Sequence, residues 1–407
     1  MISKNRALIL LLLINLFNYI DRQVLAAVAP LIGGELHLTK DQLGWASTAF
    51  LVSYMILAPV FGWMADRGGR WLLIGAGVTL WSLASGGTGL ASGFAALILT
   101  RCFVGVGEAA YGPAAPTLLS DLYPAERRGR VLSIFYLAIP VGSALGYMAG
   151  GALAKWWGWR GAFFALTPPG LLLGIAAMRM KEPPRGRVDH VKTRTARWKD
   201  YLALARNPSF VLDTAGLTAM SFAMQGVGFW MPYYISDLGT AGDLERINVI
   251  LGAVVVLGGL LGTLAGGWLG DRLSKKWPGA YFLVCGGGLL LGAPVFWLML
   301  RTPFPGAWIL LFLGCFLLCV NTGPGNAILA NVTHPSIRAT AFAVNILIIH
   351  ALGDAISPPL IGWIAKAHGW RIGFEFMAAI MAVGGVVWLW GAVYLERDMA
   401  AAGNSEF

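Results

Sequence analysis

The sequence predicts an all-α membrane protein of twelve transmembrane helices arranged as two six-helix halves. Three observations carry that expectation. The 407 residues are 57% hydrophobic and only 12% charged, against about 25% charged residues in average soluble chains. Twelve apolar stretches each approach or exceed the roughly 20 residues that span a bilayer as a helix. Finally, Gly62 to Arg70 reads GWMADRGGR, and 205 residues later Gly267 to Lys275 reads GWLGDRLSK. Each lies in a short basic gap between apolar runs, so one membrane module has been used twice, as secondary transporters are built.

The stretches fall at about 7–32, 43–65, 71–92, 94–121, 130–154 and 161–180 in the first half. In the second they fall at 209–235, 245–270, 279–300, 306–332, 337–366 and 371–395. At an offset of 211 residues Tyr111-Gly112-Pro113 matches Thr322-Gly323-Pro324, Pro124 matches Pro335, Arg127 matches Arg338, and Gly158-Trp159-Arg160 matches Gly369-Trp370-Arg371. The halves are therefore expected at 1–180 and 207–395, joined by a cytoplasmic linker at 181–206 and followed by a C-terminal tail at 396–407, with Gly403 to Phe407 read as disordered. The linker, with Pro183, Pro184, Gly186 and mixed charge, reads as a solvated tether.

Lys and Arg set the orientation. With the N-terminus cytoplasmic, 21 basic residues fall on that side and 7 on the other, which places both termini inside. The net charge of +10 is then mostly topology. A nucleic-acid partner needs a soluble basic surface, and no soluble domain is expected. Ala7 to Ile20 has the apolar character of a signal peptide, but Asp21 and Arg22 interrupt it and its removal would leave eleven spans. Cys102, Cys285, Cys315 and Cys319 all fall in apolar stretches, so no disulfide framework is expected. Cys315 with Cys319 reads as packing, not as a metal site.

Glycines mark close helix approach. Gly142, Gly146 and Gly150 in the fifth span, and Gly258, Gly262, Gly266 and Gly270 in the eighth, recur every four residues and give flat faces. These are expected to be sliding surfaces between the halves.

Ionisable residues at bilayer depth are costly, at least about 2.5–3.5 kcal/mol on insertion scales, and they ordinarily face a cavity or a partner. The first half holds Asp21 and Arg22 in its first span and Arg101 and Glu108 in its fourth, whereas the aligned positions of the second half are apolar or neutral. Asn18, Asp21, Arg22 and Leu25 share one helix face, and Arg101, Gly105 and Glu108 make a second stripe. Asp21 and Glu108 are candidate proton carriers, because burial disfavours a bare carboxylate while a neighbouring guanidinium favours it, leaving a balance that substrate or conformation can tip. Arg22 or Arg101 can hold an anionic group by paired hydrogen bonds. The plainer alternative makes Asp21 with Arg22, and Arg101 with Glu108, internal ion pairs.

Three runs carry a resemblance. Asn18-Tyr19-Ile20-Asp21-Arg22-Gln23-Val24-Leu25-Ala26, RCFVGVGEAAYGPAAPTLLSDLYP from Arg101 to Pro124, and SIFYLAIPVGSALGY from Ser133 to Tyr147 resemble the Spinster branch of the major facilitator superfamily. Resemblance to the superfamily covers the whole chain, and resemblance to Spinster proteins rests chiefly on the first half. Gly62 to Arg70 matches the superfamily's loop motif, with Trp71 where a basic residue is usual. The second loop departs from it at Ser274 to Lys276.

That resemblance implies the major facilitator fold and a lipid-like substrate, a lysophospholipid or sphingosine 1-phosphate, moved with protons across the membrane, in a bacterial inner membrane. By motif match Asp21 and Glu108 take the protonation roles and Arg22 lies beside the headgroup. Arg101, Asn18 and Tyr111 join it as substrate contacts, with Met224 and Phe229 among the apolar residues offered to an acyl chain. Gly62, Asp66, Arg67 and Arg70 form the cytoplasmic gate, with Asp271 and Arg272 in the second loop. No cofactor or metal is implied, and a monomer suffices. A sugar-acid transporter of the same superfamily is the alternative. It is disfavoured because no Lys or Arg lies inside the second-half spans to grip a dianion from both sides. An enzyme is not expected, since no nucleophile or metal set is present. His350 with Asp354 is the one residual pair and reads as packing.

Overall fold

The computed structural model describes residues 4–67, 69–123, 131, 134–182, 204–333 and 338–404. Pro124, Arg127, Pro335 and 183–203 of the linker lie outside the described residues, as do the side chains of Asp66 and Arg67. The described elements are helical throughout. They are α1 (Lys4–Glu35), α2 (Lys40–Arg67), α3 (Arg70–Thr88), α4 (Phe94–Tyr111), α5 (Ala114–Leu122), α6 (Ala138–Met178), α7 (Pro208–Leu238) and α8 (Leu244–Ser274). Then follow α9 (Ala280–Met299), α10 (Ala307–Cys319), α11 (Thr322–Asn331), α12 (Arg338–Ile349), a π turn (His350–Asp354), α13 (Ser357–His368), α14 (Trp370–Gly391) and α15 (Leu395–Asn404).

Among the described residues, nine helical segments are long and apolar enough to cross a membrane. One of them, Ile134–Met178, is two spans joined at Gly158, whose φ of +68° breaks the helix. Adding α3 and α7, where polar residues and glycine dilute the hydropathy, gives the twelve expected spans.

The repeat is visible in the breaks. Gly158 and Gly369 both have positive φ, +68° and +88°, a region that glycine enters without the Cβ penalty. In each case the following tryptophan packs on the phenylalanine one turn on, Trp159 on Phe163 and Trp370 on Phe374. The fourth and tenth spans are each split, between α4 and α5 at Gly112-Pro113 and between α10 and α11 at Val320-Asn321, just before Gly323-Pro324. Pro113 sits at the first break and Pro324 in the first turn of α11, positions where a residue with no N–H costs least.

Two compact units result: Met1–Val191 with Gly228–Ala253, and Lys192–Val227 with Val254–Phe407. The boundary therefore falls inside α7 and inside α8. In the first unit α1 packs on α6, α2 on α4, and α3 on both α4 and α6, around a core that includes Trp71, Trp81, Tyr111 and Phe135. In the second, α9 packs on α14 and α10, and α13 on α14. Asp398 on α15 is buried and accepts the Ser209 backbone N–H (3.0 Å), tying the chain end to the start of α7. Of the expected tail, Gly403 and Asn404 close α15, and 405–407 lie outside the described residues.

The glycine faces require a correction, since they pack helices within a unit and are not sliding surfaces between halves. A Cβ on Gly142 would meet the Leu16 carbonyl at 2.7 Å, on Gly146 the Ile20 carbonyl at 2.6 Å and on Gly150 the Ala27 Cβ at 2.7 Å, all on α1. On α8, a Cβ on Gly258 would stand 3.1 Å from the Cys315 Cβ, and Gly262 and Gly266 abut the Phe316 and Val320 carbonyls of the tenth span. The same four-residue period serves sliding and locking alike, and only the neighbour's identity separates them. Cys315 and Cys319 are the small residues that accept the α8 glycines.

Candidate functional site: an arginine–glutamate pair in the first unit

Four helices of the first unit converge on one charged cluster. Its packing begins with glycines: Gly105 on α4 abuts the Phe50 carbonyl of α2, and Gly77 on α3 would carry a Cβ only 2.8 Å from the Ala110 Cβ of α4. These close crossings bring the acid on α4 within reach of α1, and they set aromatic rings of α2 around the gap.

At the centre Arg22 donates from Nε to Glu108 Oε2 (2.7 Å), with its NH2 nitrogen 2.5 Å from the same oxygen. The guanidinium lies over the rings of Phe50 (4.7 Å), Tyr19 (5.0 Å) and Tyr54 (5.8 Å), a cage that a delocalised, weakly hydrated cation fits. Exposure is unequal. The Arg22 side chain is 27% accessible and that of Glu108 is 1%, so the cation is open and its counter-charge is sealed.

The adjacent acid behaves differently. Asp21 accepts a hydrogen bond on Oδ1 from the Ser85 hydroxyl of α3, and its Oδ2 is buried without a partner. The ion pair thus joins α1 to α4 and does not run between neighbours on α1, because successive side chains on a helix diverge. Arg101 is buried, within electrostatic reach of both Asp21 and Glu108, and its Nε has no partner. Glu108 Oε1 and Asn18 Nδ2 are likewise buried and unpartnered. Four unsatisfied polar atoms in one cluster mark a site whose bonding is incomplete in this state.

The other expected residues fall as follows. Tyr111 is buried, donates to the Leu11 carbonyl (3.1 Å) and packs edge-on to Trp81. Met224 is exposed, whereas Phe229 is buried and packs edge-on to Trp230. At the loop motif, Gly62 faces Pro113, and Arg70 is buried between two acids, Asp121 (2.6 Å) and Glu182 (2.8 Å), with Glu182 also accepting the Trp71 N–H. In the second loop Asp271 accepts from the Tyr281 hydroxyl (3.2 Å) and Arg272 lies over Trp268.

Sequence reading missed Ser85, Phe50 and Tyr54, which carry no charge and lie on spans with no other signal. It passed over Glu182, although an acid next to Pro183 at the end of a span was visible. In the second half it singled out His350 with Asp354 but passed over Asp213. Asp213 is fully buried there and accepts from Trp388 Nε1 (2.9 Å). His350 Nδ1 meets Asp354 Oδ2 at 2.5 Å, and Ser221 donates to Asp354 Oδ1. The π turn that holds this pair, with the Ala355 N–H donating to the His350 carbonyl (2.9 Å), is a backbone form common at functional positions.

Comparison with known proteins places the chain. Residues 11–348 match the family model of the Major Facilitator Superfamily. The human protein spinster homolog 1 is 39% identical over 431 residues, covering 96% of this chain and 80% of its own. The Drosophila melanogaster protein spinster is 37% identical, with 87% of this chain and 60% of that one aligned. Among solved structures, a bacterial homolog to the human lysosomal transporter Spinster, crystallised inward-facing and unoccupied, superposes with a TM-score of 0.89 at 22% identity, over 97% of this chain and 98% of that chain. A D-xylose-proton symporter shares the fold at TM-score 0.72 and 18% identity, over 97% of each chain. These relatives are transporters and not enzymes, and this chain is a multi-pass integral membrane protein of the Spinster family within the major facilitator superfamily.

Proposed function

We propose that the protein is a proton-coupled secondary active transporter of lysolipids or sphingosine 1-phosphate-like amphipaths, working by alternating access. The observation that carries this reading is the Arg22–Glu108 pair, an open cation in an aromatic cage backed by a sealed acid. Arg22 is matched to a phosphate headgroup by its fork of donors, and the exposed Met224 is the apolar contact for a chain. Phe229, packed on Trp230, would have to turn outward to join it.

Protonation supplies the switch. A proton taken up on the unpartnered Glu108 Oε1 removes the charge that holds Arg22, so the guanidinium is released to pair with the substrate phosphate. When the substrate leaves, the Arg22–Glu108 pair re-forms and the proton is released. Asp21, held by Ser85 and near Arg101, is the second carrier in the same cluster. Asn18 and Tyr111 form the wall behind it. Gly62, Asp66, Arg67 and Arg70, with Asp271 and Arg272, are the proposed gate, in which Arg70 bridges Asp121 and Glu182. The orientation proposed from the basic residues puts both termini in the cytoplasm of a bacterial inner membrane, with a monomer as the working unit.

The test is transport in proteoliposomes, following a labelled lysophospholipid and a labelled sugar acid in parallel, with and without an imposed pH gradient. Gradient-dependent movement of the lysolipid alone is the expected result. Movement of the sugar acid alone would discard the lipid assignment and leave the fold untouched.

A further inference from the structure

The second unit carries a buried acid that the charged cluster of the first unit does not use. Asp213 lies in the second turn of α7 at 0% exposure. Its Oδ1 accepts the Trp388 indole N–H of α14 at 2.9 Å, and its Oδ2 is buried with no partner. Around it, α11 presents Gly325, where a Cβ would stand 3.7 Å from Asp213 Oδ1, and α9 presents Cys285, whose Sγ contacts the Asn321 carbonyl at 3.8 Å. Among the described residues near the base of α7, Asp398 holds the Ser209 N–H, Arg397 is committed to Asp398 Oδ1 at 2.9 Å, and Arg206 is exposed. Among the described residues no cation faces Asp213.

A carboxylate sealed at this depth with one neutral donor would lose its hydration with nothing to offset it, and such groups neutralise by binding a proton. A metal cation would need several ligands around the same carboxylate, and among the described residues no group of three or more His, Cys, Asp or Glu side chains is placed to hold one. We infer that Asp213 is an exchangeable proton site of the second unit, with the proton on Oδ2 and the indole N–H of Trp388 held on Oδ1.

Proton binding here forms one O–H bond and consumes no other reactant. Ser209 lies one turn before Asp213 on the same face of α7, fully buried, and its hydroxyl has no partner; a hydroxyl both donates and accepts and so can pass a proton. Ser209 and Asp213 both belong to the second unit, which takes α7 as far as Val227.

Infrared spectroscopy of the full-length protein in lipid vesicles tests this without substrate, so its outcome is independent of the transport reading. The expected result is a protonated-carboxyl C=O band near neutral pH that is absent in Asp213→Asn, shifts on transfer to D2O, and moves to higher frequency in Trp388→Phe as Oδ1 loses its donor. Ser209→Ala should keep the band and slow its D2O shift several-fold. A spectrum unchanged by Asp213→Asn, or a band that never responds to D2O, would overturn the proposal. If Asp213→Asn folds poorly, Trp388→Phe decides it, and an unmoved band there counts against the site.

Discussion

The two units share a packing scheme and differ in chemistry. Each closes a span pair around a positive-φ glycine followed by Trp-Arg, splits its fourth span at or just before a Gly-Pro pair, and seats a glycine-faced helix against a neighbour, α6 on α1 in one and α8 on α10 and α11 in the other. Their buried polar groups have diverged. The first unit holds an open Arg22 paired to Glu108, with Arg101 and Asp21 behind. The second holds acids with neutral donors or histidine: Asp213 on Trp388, and Asp354 on Ser221 and His350. The shared features are the ones backbone proximity demands, while among the described residues the buried arginines, Arg70 and Arg101, and the Arg22–Glu108 pair lie in the first unit. That one-sidedness suits a substrate with one polar end and one apolar end.

The largest expected effect breaks the chemical half of this comparison. Glu108→Gln and Asp21→Asn should each reduce gradient-driven uptake in proteoliposomes to background, with substrate still bound in an equilibrium assay. Full coupled uptake in both would remove the first unit's claim to proton coupling.

The next tests the shared packing. Gly146→Leu in the first unit and Gly262→Leu in the second force side chains into carbonyls of the facing helix, and each should cost about 1–3 kcal/mol in thermal unfolding in detergent. Gly34→Ala, with nothing within 4 Å of its Cβ, is the matched control and should change stability by less than about 0.5 kcal/mol. Equal stability of all three proteins would mean that the glycine faces do not lock the helices.

Smaller effects sharpen the role of the cage. Arg22→Lys replaces a fork by a point charge and should weaken lysophospholipid binding about tenfold, or ~1.4 kcal/mol. Unchanged affinity would transfer the headgroup role to Arg101. Tyr54→Leu removes one ring from the guanidinium and should cost about 0.5–1 kcal/mol of binding, read in the same titration. A larger loss than in Arg22→Lys would make the ring, and not the cation, the main contact.

Much of this was legible in the chain. Span number follows from hydropathy because a bilayer gives backbone polar groups no alternative to helix. The duplication follows from residues that recur for backbone reasons, Gly158 with Gly369 and Pro113 with Pro324. Asp21, Arg22, Arg101 and Glu108 stood out because charge at bilayer depth is costly enough to need a reason. Asp213 is as costly, yet it has no partner within its own span to draw the eye, and Ser85, Phe50 and Tyr54 are ordinary residues in a membrane helix.

The sequence by itself determined the helices, their duplication and which buried groups carry charge, since each of these depends on local composition and on the solvent around the chain. Tertiary structure alone decided who meets whom. Arg22 chose Glu108 across 86 positions over the acid beside it, Asp21 took Ser85, and the glycine faces turned out to lock helices within a unit. The physical reason is the same in each case. Periodicity fixes the face on which a residue stands, but the partner on that face is set by close packing of helices distant in sequence, where a single Cβ decides whether two backbones can touch.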